Sequence, residues 1–203
     1  IPKLCAAAGM SACALTDTNL MSGCAEFSDV MPSNKLQPII GIEITLNHHN
    51  ADPKILRAGT LSKIVLLAQN HTGYLNLCDL NRIMYMRTEN HHLGPYITWD
   101  ELTEHSEGLI CLSGAHLGPI GMAVLNTQED LAHNYAQRFL DIFGNRFYIE
   151  IQRHGFNEEI TFLQDEYQLA CACYDYVNAE EVIEILYKKQ PENKQILLQY
   201  ISI

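Results

Sequence analysis

The sequence predicts an α/β fold, and three observations carry that prediction. Short apolar runs alternate with segments whose apolar residues recur at helical spacing. Turn residues bound most of those runs. Two of the runs, Cys13-Ala-Leu-Thr-Asp-Thr18 and Pro38-Ile-Ile-Gly-Ile-Glu-Ile44, end in or near a carboxylate, Asp17 and Glu43, which is how an α/β barrel presents chemistry at the C-terminal ends of its strands. A mainly parallel sheet is the economical arrangement, because right-handed crossovers close such a series into a barrel.

Taken in order, residues 1–9 read as the second half of an amphipathic helix closed by Gly9, with the true N-terminus expected upstream of Ile1. Residues 12–16 form a buried strand and 20–30 a helix, which Pro32-Ser-Asn34 breaks. The next strand covers 36–46, and the polar stretch from Asn47 to Pro53 makes a loop or hairpin tip. Residues 64–68 are a continuous apolar strand. Thr72 then starts a helix through Leu75, Leu77, Leu80 and Ile83. After a polar, turn-rich segment over 85–95, Thr98 is placed to cap a short helix. A strand over 109–112 runs into Ser113-Gly114, followed by helix to about Phe143 with an interruption at Gly118-Pro119. The series ends with a strand over 147–152, a helix over 158–166, a strand over 169–173 and a helix over 179–188, with no fixed-period repeat.

Composition narrows the function classes. A net charge of -11 with only 13 Lys plus Arg argues against a grip on a nucleic-acid backbone by this segment itself, and reads as a solubilising surface, with an acidic docking face for a basic partner as the alternative. Hydrophobic residues make up 47%, and no apolar run approaches the roughly 20 residues that span a bilayer, so no membrane partner is expected. The seven cysteines form no disulfide framework; they read as buried structural thiols in a reducing, cytoplasmic compartment. Cys171 and Cys173 alternate along a strand and so make poor joint ligands.

A series of motifs carries a family resemblance. Leu15-Thr-Asp-Thr-Asn-Leu-Met-Ser-Gly-Cys-Ala-Glu-Phe27, Ile39-Ile-Gly-Ile-Glu43, Val65-Leu-Leu-Ala-Gln-Asn70 with Gly73-Tyr-Leu-Asn-Leu77, Glu107-Gly-Leu-Ile-Cys-Leu-Ser-Gly114 and Phe147-Tyr-Ile-Glu-Ile-Gln-Arg-His-Gly155 occur in this order. They resemble the polymerase and histidinol phosphatase (PHP) domain of the bacterial replicative DNA polymerase III alpha subunit, in its proteobacterial form. The resemblance covers about residues 1–175, and Tyr174-Asp-Tyr-Val-Asn-Ala-Glu-Glu-Val-Ile-Glu-Ile185 is similar to the segment just beyond that barrel. It implies a distorted (β/α)7 TIM-like barrel over residues 1–173, incomplete at the N-terminus and in one late loop, followed by a helical segment over 174–203 leading toward the polymerase body.

The resemblance also implies a site, and here the chain departs from the pattern. Active PHP domains cluster metal ions with imidazoles and carboxylates at strand ends, lowering the pKa of a bound water and stabilising charge on a phosphate. The family's first His-x-His pair falls before Ile1. Asp17 and Glu43 match remnant positions, whereas Thr18, Lys63 and Ala115 stand where histidine or another ligand is expected. The closing Asp-x-His has no clear counterpart, Asp175 being the nearest candidate. No metal or other cofactor and no catalytic residue are therefore expected.

Other residues have plainer readings. The pairs His48-His49 and His91-His92 read as solvated loop residues, His154 as a structural group at the rim, and His116 as one place removed from the lost ligand. Asp100, Glu101, Glu104 and Glu107 form a solvated helix face anchored by buried Trp99. The expected role is a catalytically silent module that stabilises the rest of the polymerase chain and docks the proofreading exonuclease subunit. The alternative is an active phosphoesterase or 3'-5' exonuclease using zinc or manganese, and Thr18, Lys63 and Ala115 weigh against it.

Overall fold

The computed structural model describes residues 1–49, 61–87 and 93–152. Helix α1 (Pro2–Ala7) leads through Gly9, at φ 69°, into strand β1 (Ala12–Leu15), and helix α2 (Cys24–Ser33) follows. Pro32 sits in the last turn of α2 rather than ending it, because a missing amide donor there disturbs only the final turn. The chain continues into β2 (Gln37–Asn47), β3 (Leu61–Ala68), α3 (His71–Met86) and α4 (Trp99–Glu104). Beyond these come β4 (Leu109–Leu112), a 3₁₀ turn (Ala115–Leu117), α5 (Pro119–Leu125), α6 (Glu129–Phe143), a second 3₁₀ turn (Gly144–Arg146) and β5 (Phe147–Tyr148).

The strands form one sheet in the order β1-β2-β3-β4-β5. Its outer pairs, β1 with β2 and β4 with β5, are parallel, but β3 runs antiparallel to both its neighbours. The mainly parallel sheet expected from the sequence is thus corrected to a mixed one, and among the described residues it is not closed into a barrel. The reason lies in the connections. After β3, helix α3 carries the chain away. The segment that bridges Leu46 at Ile97, followed by α4, brings it back, so Leu109 starts beside Ala68, where β3 ends. The Gln69 amide donates to the Gly108 carbonyl at 2.9 Å and seals that corner. Two helical passes restore the starting end and force antiparallel pairing.

Burial follows the strand period of two. Ile42, Ile44, Leu46, Ile64, Leu66, Leu109 and Cys111 are inaccessible and pack with α3, α5 and α6 in the main core. The alternate residues Glu43, Thr45, Lys63, Val65, Leu67, Ile110 and Leu112 are only partly buried on the other face. A smaller cluster of Cys5, Phe27, Met31 and Leu36 ties α1 and α2 together. Strand β1, expected to be buried, is half-exposed because it forms one edge of the described sheet. The strand expected over 147–152 pairs only through Tyr148, since the Glu150 amide donates to the Ser113 hydroxyl at 2.8 Å instead of to a strand carbonyl. The elements expected over 158–166, 169–173 and 179–188, the boundary at 173, and His91, His92, His154, Cys171, Cys173 and Asp175 lie outside the described residues.

Candidate functional site

The end of β1 is latched to β2 by a single asparagine. Asn19 adopts φ 55°, a left-handed conformation that asparagine tolerates better than most residues. Its amide donates to the Glu43 carbonyl at 2.7 Å. Its side-chain oxygen accepts from the Thr45 amide at 2.9 Å, and its side-chain nitrogen donates to the Thr45 hydroxyl at 2.9 Å. From α3, Asn81 donates to the Asn19 carbonyl at 3.1 Å. The Glu43 amide also donates to the Asp17 carbonyl at 3.2 Å. These bonds set Thr18 beside Glu43 as a parallel bridge.

The register of β2 and β3 supplies the third member. Lys63 lies opposite Thr45 and hence diagonal to Glu43 on the same sheet face. Its ammonium donates to Glu43 Oε1 at 2.6 Å, and the Thr18 hydroxyl donates to that same oxygen at 2.7 Å. The two charged side chains keep 35% and 25% of their accessible surface, so solvent screens the pair only in part. Partial burial alone would raise the Glu43 carboxyl. The Lys63 and Thr18 hydrogen bonds, with the Lys63 charge, outweigh it and hold the group below its ordinary value.

The remaining sequence-derived positions divide. Asp17 joins through its carbonyl, while its exposed carboxylate reaches toward Gly23 at the start of α2. Ala115 is buried at φ 46° and offers only a methyl group. It follows Gly114, at φ 79°, where a Cβ would run into the Lys63 carbonyl; the same rim therefore carries Lys63 and Ala115. His116 is exposed on the next position of that turn. A cavity of about 420 Å³ lies at the opposite end of β2 and β3, between Gln37, Pro38, Gln69 and His71, and includes none of these groups.

Two expectations about surface residues need correcting. His48 is only 4% exposed, because β2 runs on to Asn47 and delivers the imidazole beneath α6. Its carbonyl accepts from the Trp99 indole at 2.8 Å, and its ring meets Tyr135 edge-on at 5.7 Å and His49 at 4.3 Å. Burial first, then the neighbouring His49, push the His48 pKa down to about 4 against a smaller opposing effect of the Leu46 backbone. His49 is exposed, as expected, although its Nδ1 lies 3.2 Å from the Tyr135 hydroxyl. In the acidic run, Asp100, Glu104 and Glu107 are exposed. Glu101 is instead half-buried, closing a capping box with Thr98 and accepting at its two carboxylate oxygens from Arg87 Nη2 at 2.5 and 2.7 Å.

The sequence reading missed Asn19, Asn81 and Ser113. Asn19 stands inside the Thr-Asp-Thr-Asn motif directly after Thr18, where asparagine's tolerance of a left-handed turn could have flagged it. Asn81 sits 62 residues from its partner and carries no local signal.

Comparison with known proteins agrees with the motif series. A family model described as "PHP domain" matches residues 1–154. The chain is similar to proteins named DNA polymerase III subunit alpha: 35% identical over 82% of its length in Rickettsia bellii, 39% over 76% in Caulobacter vibrioides and 34% over 83% in Chlamydia trachomatis. It spans only 13%, 13% and 14% of those relatives' own lengths.

Proposed function

The chain belongs to the PHP domain family, and from that premise we propose that it is the PHP domain of a DNA polymerase III alpha subunit, serving DNA replication in the cytoplasm as a silent structural and docking module. Nucleotidyl transfer would then belong to parts of the full protein outside this segment. Its partners would be the remainder of that chain and the proofreading exonuclease subunit. The half-exposed sheet face that bears Glu43, backed by helices on the other face, is what one wall of a distorted (β/α)7 barrel presents.

One observation carries the silence: Glu43 Oε1 already accepts from Lys63 and Thr18. Metal-assisted hydrolysis needs several anionic or imidazole donors around an open position. Here an ammonium occupies the carboxylate, a hydroxyl points its proton at the same oxygen, and Ala115 supplies no donor. Among the described residues, those at this rim do not fit a catalytic metal cluster.

The test uses the full natural chain. Its metal content, its phosphoesterase activity on single-stranded DNA and its affinity for the exonuclease subunit are measured beside those of Glu43→Ala. The expected result is saturable exonuclease binding, with activity no greater than that of the variant. Stoichiometric zinc or manganese with activity abolished in Glu43→Ala would establish the phosphoesterase reading instead.

A further inference from the structure

We propose that the Lys63 ammonium is the resident cation of this rim, a fixed structural cross-tie that makes the local fold independent of divalent metal. The inference rests on the PHP reading, because that family gives the carboxylate at position 43 a cation to hold. At 2.6 Å the Lys63–Glu43 contact is a charge-assisted hydrogen bond at its short limit. The acceptor oxygen is shared with Thr18, so one carboxylate joins the end of β1, the middle of β2 and the start of β3.

Lys63 is held in place by its backbone. Its residue is paired with Thr45 in the ladder, and its carbonyl is covered by the close approach of Gly114. A divalent ion binding Glu43 would have to displace a positive charge that is covalently fixed beside it, and like charges at that separation repel. The effect is connective rather than large. A half-exposed pair contributes little by itself, yet here it closes a network that already includes the Asn19 latch.

Hydrogen exchange of the full natural chain, followed by mass spectrometry in peptides covering residues 12–20, 37–47 and 61–68, tests this directly. The expected result is that exchange is unchanged by EDTA or by added zinc or manganese chloride. Lys63→Met should raise it roughly fivefold in these peptides, while Lys63→Met combined with Glu43→Leu restores it, since removing one charge of a pair is costlier than removing both. Faster exchange on adding EDTA, protection by either metal, or an unchanged rate in Lys63→Met would overturn the inference. If Lys63→Met does not fold, the double variant decides: native exchange supports the cross-tie, and a second failure to fold overturns it. Phosphoesterase activity in a chain whose exchange ignores EDTA would refute the silent reading while leaving the cross-tie standing.

Discussion

Asn19 combines two demands that few residues meet together, a positive φ and a side chain that both donates and accepts. Replacing it by alanine removes two side-chain bonds, at about 1 kcal/mol each, and loses asparagine's tolerance of the left-handed region for about 1 kcal/mol more. Asn19→Ala is expected to cost about 3 kcal/mol, and Asn19→Gly about 2 because glycine accepts that φ freely. Urea unfolding of the two variants checks the order; equal losses would show that the backbone conformation contributes nothing. Gly114 adds a steric demand to its own positive φ of 79°, because a Cβ there would meet the Lys63 carbonyl. Gly114→Ala should therefore disturb Lys63 from behind, and hydrogen exchange should rise in β3 as well as in the turn.

At the scale of elements, α4 shows how one side chain can serve two structures. Glu101 Oε2 accepts from the Thr98 amide at 2.7 Å in the capping box, and the same carboxylate neutralises Arg87, which is stacked 4.5 Å over Tyr96. Thr98→Ala should cost about 1 kcal/mol, the ordinary worth of a cap. Glu101→Ala should cost about 2–4 kcal/mol, since it also leaves the Arg87 guanidinium half-buried without a counter-charge. Thermal denaturation of the two variants checks this, and a Glu101→Ala loss no greater than that of Thr98→Ala would show that the ion pair is dispensable. The cap itself was legible from Thr98 and the apolar residues after it, as were β3, β4 and α3, whose signals are contained within a few consecutive residues. The strand directions were not legible, because β3 and β4 are antiparallel on account of two helices that return the chain to one end. Thr18 and Lys63 could be read as groups near strand ends, whereas Glu43, expected to end its strand, lies in the middle of β2 because that strand runs on to Asn47. Their meeting on one oxygen could not, since it depends on the register that sets Lys63 opposite Thr45.

For the molecule as a whole, two groups on opposite sides of β2 make stability depend on acid in sequence. His48 has a folded pKa of about 4 against an ordinary 6.5, so between those values the unfolded chain binds the extra proton and the folded one does not. Stability is therefore full above about pH 6.5 and falls as the pH drops toward about 4. Glu43 acts later. Its folded pKa is lowered, so its contribution is present above the ordinary value of 4.5 and is lost as the pH falls through the lower folded value. The midpoint of urea unfolding should accordingly decline in two stages. His48→Leu removes the first stage while leaving the carbonyl that accepts from Trp99, and Glu43→Gln removes part of the second. The stages separate because their causes do: burial under Tyr135 keeps one group neutral, and an adjacent ammonium keeps the other charged. A decline between pH 6.5 and 4 that persists unchanged in His48→Leu would remove His48 from the acid response.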